Sequence, residues 1–179
     1  SSGLSSVPAD LFAGIRVGAQ HMFEATFARC SGLTSIPANL FSRITTGAPY
    51  MFVGTFADSG LSSVPLNLFD GITSGAEALF AGTFGGCANL HSVPAGLFNH
   101  ITGAPAANMF SGTFASGDIL LNGIFSGVLS GACGLTLLPM GLFAGLNGAP
   151  AAGVFEETFA GCANMAGEIP SDMFGNIHG

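Results

Sequence analysis

The chain has few charged side chains and lacks two residue types altogether. Its 179 residues include no Lys, no Trp and one Tyr. With three Arg and ten acidic residues, the formal net charge is −7. Binding to nucleic acid phosphates needs clustered cations, so we expect no nucleic acid partner. The three arginines, Arg16, Arg29 and Arg43, all lie in the first quarter of the chain.

Long apolar runs are lacking too. The richest run covers residues 119–129 and is interrupted by Asn122, Gly123 and Gly127. A membrane-spanning helix needs about 18 to 20 continuous apolar residues, so we expect no membrane span. The first residues show no signal-peptide pattern and align with the inside of a repeat, which predicts a processed product or a fragment of a longer array.

Motifs for catalysis or metal binding are not found in the sequence. There is no Cys-x-x-Cys pair, nucleophile elbow, phosphate-binding loop or dinucleotide fingerprint. The four histidines, His21, His91, His100 and His178, hold four different repeat positions and form no column. We therefore predict a non-enzymatic protein without a cofactor.

A short phrase ending in proline recurs along the whole chain. It reads Leu-Ser-Ser-Val-Pro or a close variant, and its prolines are separated by 29, 28, 29, 45 and 31 residues. A Phe follows each of these prolines after four residues, and two more Phe come close together later in most units. Sixteen of the 17 Phe fall in this register, which indicates a repeat array whose aromatic residues form a stacked core.

The spacing within one unit predicts its elements. Residues 33–36 resemble a short strand that ends at Pro37, because proline lacks the backbone N–H. Leu40, Phe41 and Ile44 have helical spacing, and Met51, Phe52 and Phe56 have it again after Gly47. The prediction is an α/β repeat solenoid of about 29 residues per unit, with one short strand and two short helices in each unit.

The array is predicted to form a single domain over residues 1–179. Its units lie near 4–32, 33–60, 61–89, 90–117 and 134–164, with a partial unit at 165–179. The long spacing between Pro94 and Pro139 leaves residues 118–133 as a degenerate half-unit, and a functional loop is the alternative.

The four cysteines lie at the ends of the Phe-containing segments, at Cys30, Cys87, Cys133 and Cys162. Equivalent residues of stacked units form columns, and Cys133 and Cys162 occupy adjacent slots, so this pair can reach the separation that a disulfide requires. Buried thiols in a column are the alternative, since free Cys is among the most buried residue types.

Small hydroxyl-bearing residues lie between the apolar anchors of each phrase. On stacked strands they would form a flat and nearly uncharged strip made of Thr34, Ser35, Ser62, Ser63, His91 and Ser92. A solvated face is one interpretation. The others are a strip that binds glycan or protein, an O-glycosylated face, or a contact between copies of the chain.

The phrases Cys30-Ser-Gly-Leu33-Thr-Ser-Ile-Pro37 and Cys87-Ala-Asn-Leu90-His-Ser-Val-Pro94 resemble leucine-rich repeat proteins, with most likeness to the BspA-like bacterial surface group. The resemblance covers the chain outside the insert. It implies an exported, non-enzymatic protein, extracellular or on the cell surface, that serves in adhesion or partner binding.

Two functional hypotheses result. The first is a scaffold that binds a protein or glycan surface. The second is a subunit of a filament, because solenoid ends normally carry polar caps and neither end of this chain shows one. The expected end-to-end contacts are Leu4, Val7, Phe12, Met173, Phe174 and Ile177.

Overall fold

The computed structural model describes residues 3–117 and 129–177. The two helices predicted for each unit are wrong, because the described residues contain no helix. Their strands are two short ones, β1 (Asn147–Gly148) and β2 (Asn176–Ile177), which pair in parallel with Asn147 opposite Asn176. The α/β solenoid of leucine-rich-repeat type is therefore wrong as well.

Chains of tight turns take the place of the second predicted helix. Along residues 48–59, the N–H of every second residue donates to the carbonyl three residues back, as from Val53 to Tyr50 at 3.3 Å. We call this segment a turn ribbon. The described residues hold five ribbons, at 19–30, 48–59, 76–87, 106–115 and 153–162.

In the first four ribbons, the other N–H groups donate to the next unit. Phe52 donates to the Leu79 carbonyl at 3.0 Å and Gly54 to the Ala81 carbonyl at 2.9 Å, and the same alternation joins all five ribbons at 2.7–3.2 Å. Each of these four ribbons thus satisfies half of its backbone donors internally and half through the next ribbon, as buried backbone requires.

Backbone angles explain why a ribbon is not a helix. Every fourth residue has a positive φ, as at Tyr50 (60°), Gly54 (56°) and Asp58 (55°), and such residues cannot continue a right-handed helix. Glycine adopts this conformation without steric cost, which accounts for Gly54 in the middle of the ribbon. A four-residue repeat also places Phe52 and Phe56 on one face, as a helix would.

Phenylalanines form three columns that run through the stack. Neighbouring rings within a column are nearly parallel, with centroids 5.4–6.0 Å apart. Rings of different columns meet at tilted or edge angles, as between Phe52 and Phe69 at 5.0 Å. Offset and edge contacts are the favoured aromatic geometries, so these columns form the core.

A threonine column crosses this core beside the phenylalanines. Thr55, Thr83, Thr113 and Thr158 are buried, and each hydroxyl donates to a Phe carbonyl of the preceding unit at 2.9–3.0 Å. Each buried hydroxyl therefore has a partner and ties two units together.

Candidate binding surface

The predicted hydroxyl strip lies on the surface of the stack. Thr34, Ser35, Ser62, Ser63, His91 and Ser92 are all exposed. Each phrase supplies two neighbouring strip residues, and the first of them also joins units. The backbone N–H and the hydroxyl of Ser62 donate to the Thr34 carbonyl at 3.0 and 3.2 Å. Thr136 donates to the His91 carbonyl in the same way, so the column continues across the 45-residue spacing.

A second hydroxyl column, which the sequence reasoning missed, lies after the isoleucine of the second, third and fourth units. It contains Thr45, Thr46, Thr73, Ser74 and Thr102, which are exposed. Thr45 donates to the Arg16 carbonyl and Thr102 to the Thr73 carbonyl, and isolated parallel bridges join Val17 to Thr46 and Ser74 to Thr102. The signal was present in the sequence, because Ile-Thr recurs at 44–45, 72–73 and 101–102.

Charge is sparse around the predicted strip, whereas Arg16 lies opposite Thr45 at the second column. Next to the predicted strip, Ser35, Ser63 and Ser92 belong to phrases without an ionisable side chain other than His91. Both columns present hydroxyl groups, which donate and accept hydrogen bonds. The arrangement suits a neutral, hydrogen-bonding partner surface with a repeat along the stack.

A shallow cleft opens at the turns after Pro8 and Pro37. Its volume is about 370 Å³, and it is lined by Ala9, Asp10, Ala13, Asn39, Ser42 and Arg43. Asp10 and Arg43 line this open cleft, so it is a polar groove on the surface. Both hydroxyl columns lie outside its lining.

One polar cluster surrounds the single tyrosine. The ring of Tyr50 stacks on His21 with centroids 5.0 Å apart, and its hydroxyl donates to Glu77 Oε1 at 2.6 Å. That hydrogen bond raises the pKa of Tyr50 above its ordinary value. His21 in turn lies 2.7 Å from Glu24 Oε2, so the cluster fastens the edges of the first three ribbons.

The structure joins Cys133 to Cys162 in a disulfide, with the two Cα atoms 4.8 Å apart. Cys30 and Cys87 are buried and take no part in that disulfide. Burial raises the pKa of the Cys87 thiol to about 11, which keeps it protonated and unreactive at neutral pH. Ser59 lies beside it, with Oγ 3.5 Å from the Cys87 sulfur.

The residues predicted as end-to-end contacts differ in exposure. Leu4 and Phe174 are each 38% exposed, whereas Val7 and Met173 are buried. Phe12 and Ile177 are half-buried, and Phe12 stacks on Phe41 at 5.6 Å. The set therefore does not form one continuous exposed surface.

Residues 118–128 of the predicted half-unit lie outside the described residues, and residues 129–133 pack against the ribbons. Among the residues that the structure describes, no helix is long and apolar enough to cross a membrane. In the same part of the chain, no group of three His, Cys, Asp or Glu residues is placed to hold a metal ion.

Comparison with known proteins gives no relative: no family model, no curated protein and no solved structure matches the chain.

Proposed function

We propose that the chain is a non-enzymatic scaffold, extracellular or at a cell surface, that holds its two hydroxyl columns against a neutral glycan or protein surface. The observation that carries the proposal is the pair of exposed hydroxyl columns on one rigid stack. Sequence reasoning supplied the first column, and the structure adds the second, at Thr45, Thr46, Thr73, Ser74 and Thr102.

Rigidity favours binding by such a surface. The hydroxyl columns are carried by units whose core is three phenylalanine columns and whose backbones are hydrogen bonded unit to unit. A pre-ordered surface loses little conformational entropy on binding, so many weak hydrogen bonds can add up to a useful affinity. Low charge also avoids the desolvation of ions at the contact.

The test is a binding assay on insoluble polysaccharides, cellulose and chitin, and on a glycan array. A triple variant, Ser35→Lys, Ser63→Lys and Ser92→Lys, places three cations on the predicted strip. We expect binding to fall by at least about tenfold, because each lysine removes a hydroxyl and must be desolvated at the contact.

The matched control carries three lysines at exposed positions of the same units outside the strip, as Ala38→Lys, Asn67→Lys and Ala95→Lys. The control has the same change in net charge and should bind like the parent chain. Equal binding by both variants, or no binding by the parent chain to any of these surfaces or to a cell-surface protein extract, would contradict the proposal. Thr46→Lys with Ser74→Lys tests the second column alone.

Self-assembly into a filament is the second candidate. Exposed Leu4 and Phe174 favour it, since exposed apolar groups promote association when charge is low. Electron microscopy of a dilution series separates the two candidates, because a filament would show a regular axial repeat and a binding scaffold would remain discrete at all concentrations.

A further inference from the structure

The described part of the long insert, residues 129–133, lies flat against the ribbons; we call it the strap. Leu129 is buried and packs with Ala57 and Ala115, which belong to the second and fourth ribbons. Leu129 also forms an isolated antiparallel bridge with Gly117. The strap therefore contacts units that are far from it in sequence, whereas units of a repeat array ordinarily contact only their neighbours.

Asp58 holds the strap from the second ribbon. Its carboxylate accepts hydrogen bonds from the Ser130 N–H at 3.1 Å, the Ser130 hydroxyl at 3.2 Å and the Gly131 N–H at 2.7 Å. The Asp58 side chain is only 6% exposed, and Arg29 Nε lies 3.9 Å from it. Hydrogen bonds to a carboxylate are stronger than neutral ones, so this is a firm attachment.

Gly86 makes room for this attachment. A Cβ atom at residue 86 would overlap Oδ1 of Asp58, and Gly86 has a φ of +69°, which favours glycine. Asp58 thus reaches the strap across the place where a side chain of the third ribbon would lie. The acid at 58 and the missing side chain at 86 are both explained by the strap.

The disulfide holds the other end of the strap. Cys133 is the last strap residue, and its bond to Cys162 ties the strap to the fifth ribbon across 29 residues of sequence. The two attachments lie on different ribbons and differ in chemistry. One is a set of hydrogen bonds to a carboxylate, and the other is covalent and can be reduced.

We propose that the strap is a redox-sensitive tie between the second and fifth ribbons. A small dithiol would reduce the Cys133–Cys162 bond to two thiols, giving up its two hydrogens and closing to its own disulfide, so that no other reactant is needed. Reduction leaves Asp58 as the attachment, and the strap then opens more often. The inference does not depend on what the hydroxyl columns bind.

The test is hydrogen exchange of the full 179-residue chain, followed by mass spectrometry, before and after reduction with dithiothreitol. We expect reduction to speed the exchange of amides 129–135 by about tenfold, with amides 19–27 of the first ribbon unchanged. Asp58→Asn sets an amide group against the strap donors, and after reduction it should add a further increase of about tenfold.

Asp70→Asn is the control, because the Asp70 carboxylate faces His100 at 3.3 Å instead of the strap. It should exchange like the parent chain in both redox states. Equal exchange of 129–135 before and after reduction would overturn the proposal, and this comparison needs no substitution. After reduction, an Asp58→Asn chain that folds and exchanges its 129–135 amides no faster than the reduced parent would overturn the role of Asp58.

Discussion

At the scale of single residues, buried hydroxyls carry much of the contact between units. Thr83 donates to the Phe52 carbonyl at 2.9 Å and lies 2.7 Å from the Phe80 carbonyl, with its side chain fully buried. Thr precedes the last Phe of every complete unit, at 26, 55, 83, 113 and 158. The sequence therefore held this signal, but the reasoning on the phenylalanines passed over it.

Thr83→Val should lower the free energy of unfolding by about 1 kcal/mol, because valine keeps the shape and removes the hydroxyl that joins Thr83 to the Phe52 carbonyl of the preceding unit. Urea unfolding followed by circular dichroism measures the loss. Thr26→Val is the control, since Thr26 holds the same slot in the first ribbon and is exposed. It should change stability by less than about 0.5 kcal/mol, and equal losses would refute the role assigned to the column.

Because the Cys87 thiol is buried, we expect the free energy of unfolding to fall at alkaline pH. Burial raises its folded-state pKa from 9.0 to about 11, so the folded chain favours the neutral thiol. This contribution is complete below pH 9 and disappears between pH 9 and 11, which amounts to about 2 kcal/mol. Urea unfolding across that range should show the decline, and Cys87→Ala should make it shallower, with the part due to Tyr50 remaining. An equally steep decline in the variant would exclude Cys87 as the cause.

At the scale of the elements, helical spacing in the sequence led to the wrong structure. Phe residues four apart fit a helix and fit a four-residue turn repeat equally well, so spacing alone cannot separate them. Gly54, Gly82 and Gly112, in the middle of three successive ribbons, argued against a helix. The hydrogen bonds that decide the outcome join different units, and no single-unit pattern reports them.

Each ribbon has residues of positive φ at every fourth position, and the second of these positions holds Gly in one ribbon and Ala in another, so the two can be exchanged and compared. Gly54 has a φ of 56°, and Ala25 holds the same slot in the first ribbon with a φ of 50°. Gly54→Ala should lower the free energy of unfolding by about 1 kcal/mol, and Ala25→Gly should raise it by a smaller amount. Thermal unfolding measures both. A stabilising Gly54→Ala would mean that residue 54 is not left-handed in solution.

At the scale of the whole molecule, the repeat and the aromatic core could be read from the sequence, while the surface could be read only in part. The phrase before each proline identified Ser35, Ser63 and Ser92, because their slot alternates with buried anchors. The column at Thr45 and Thr73 was missed because surface residues were predicted only from the phrase before each proline. The strap was missed because Asp58 and Gly131 lie 73 residues apart, and spacing does not indicate such a contact.

The backbone hydrogen bonds between ribbons all have the same direction. Each of the first four ribbons donates N–H groups to the ribbon that follows it, as Phe23 does to Met51 and Phe80 to Met109. Peptide dipoles that point the same way add, as they do along a helix, so the ribbons give the stack an electric polarity with its positive pole toward the later units. Arg16, Arg29 and Arg43 outnumber Asp10 and Glu24 toward the negative pole, and Glu156, Glu157, Glu168 and Asp172 lie toward the positive one. The few charges of this chain thus partly neutralise its own axial field.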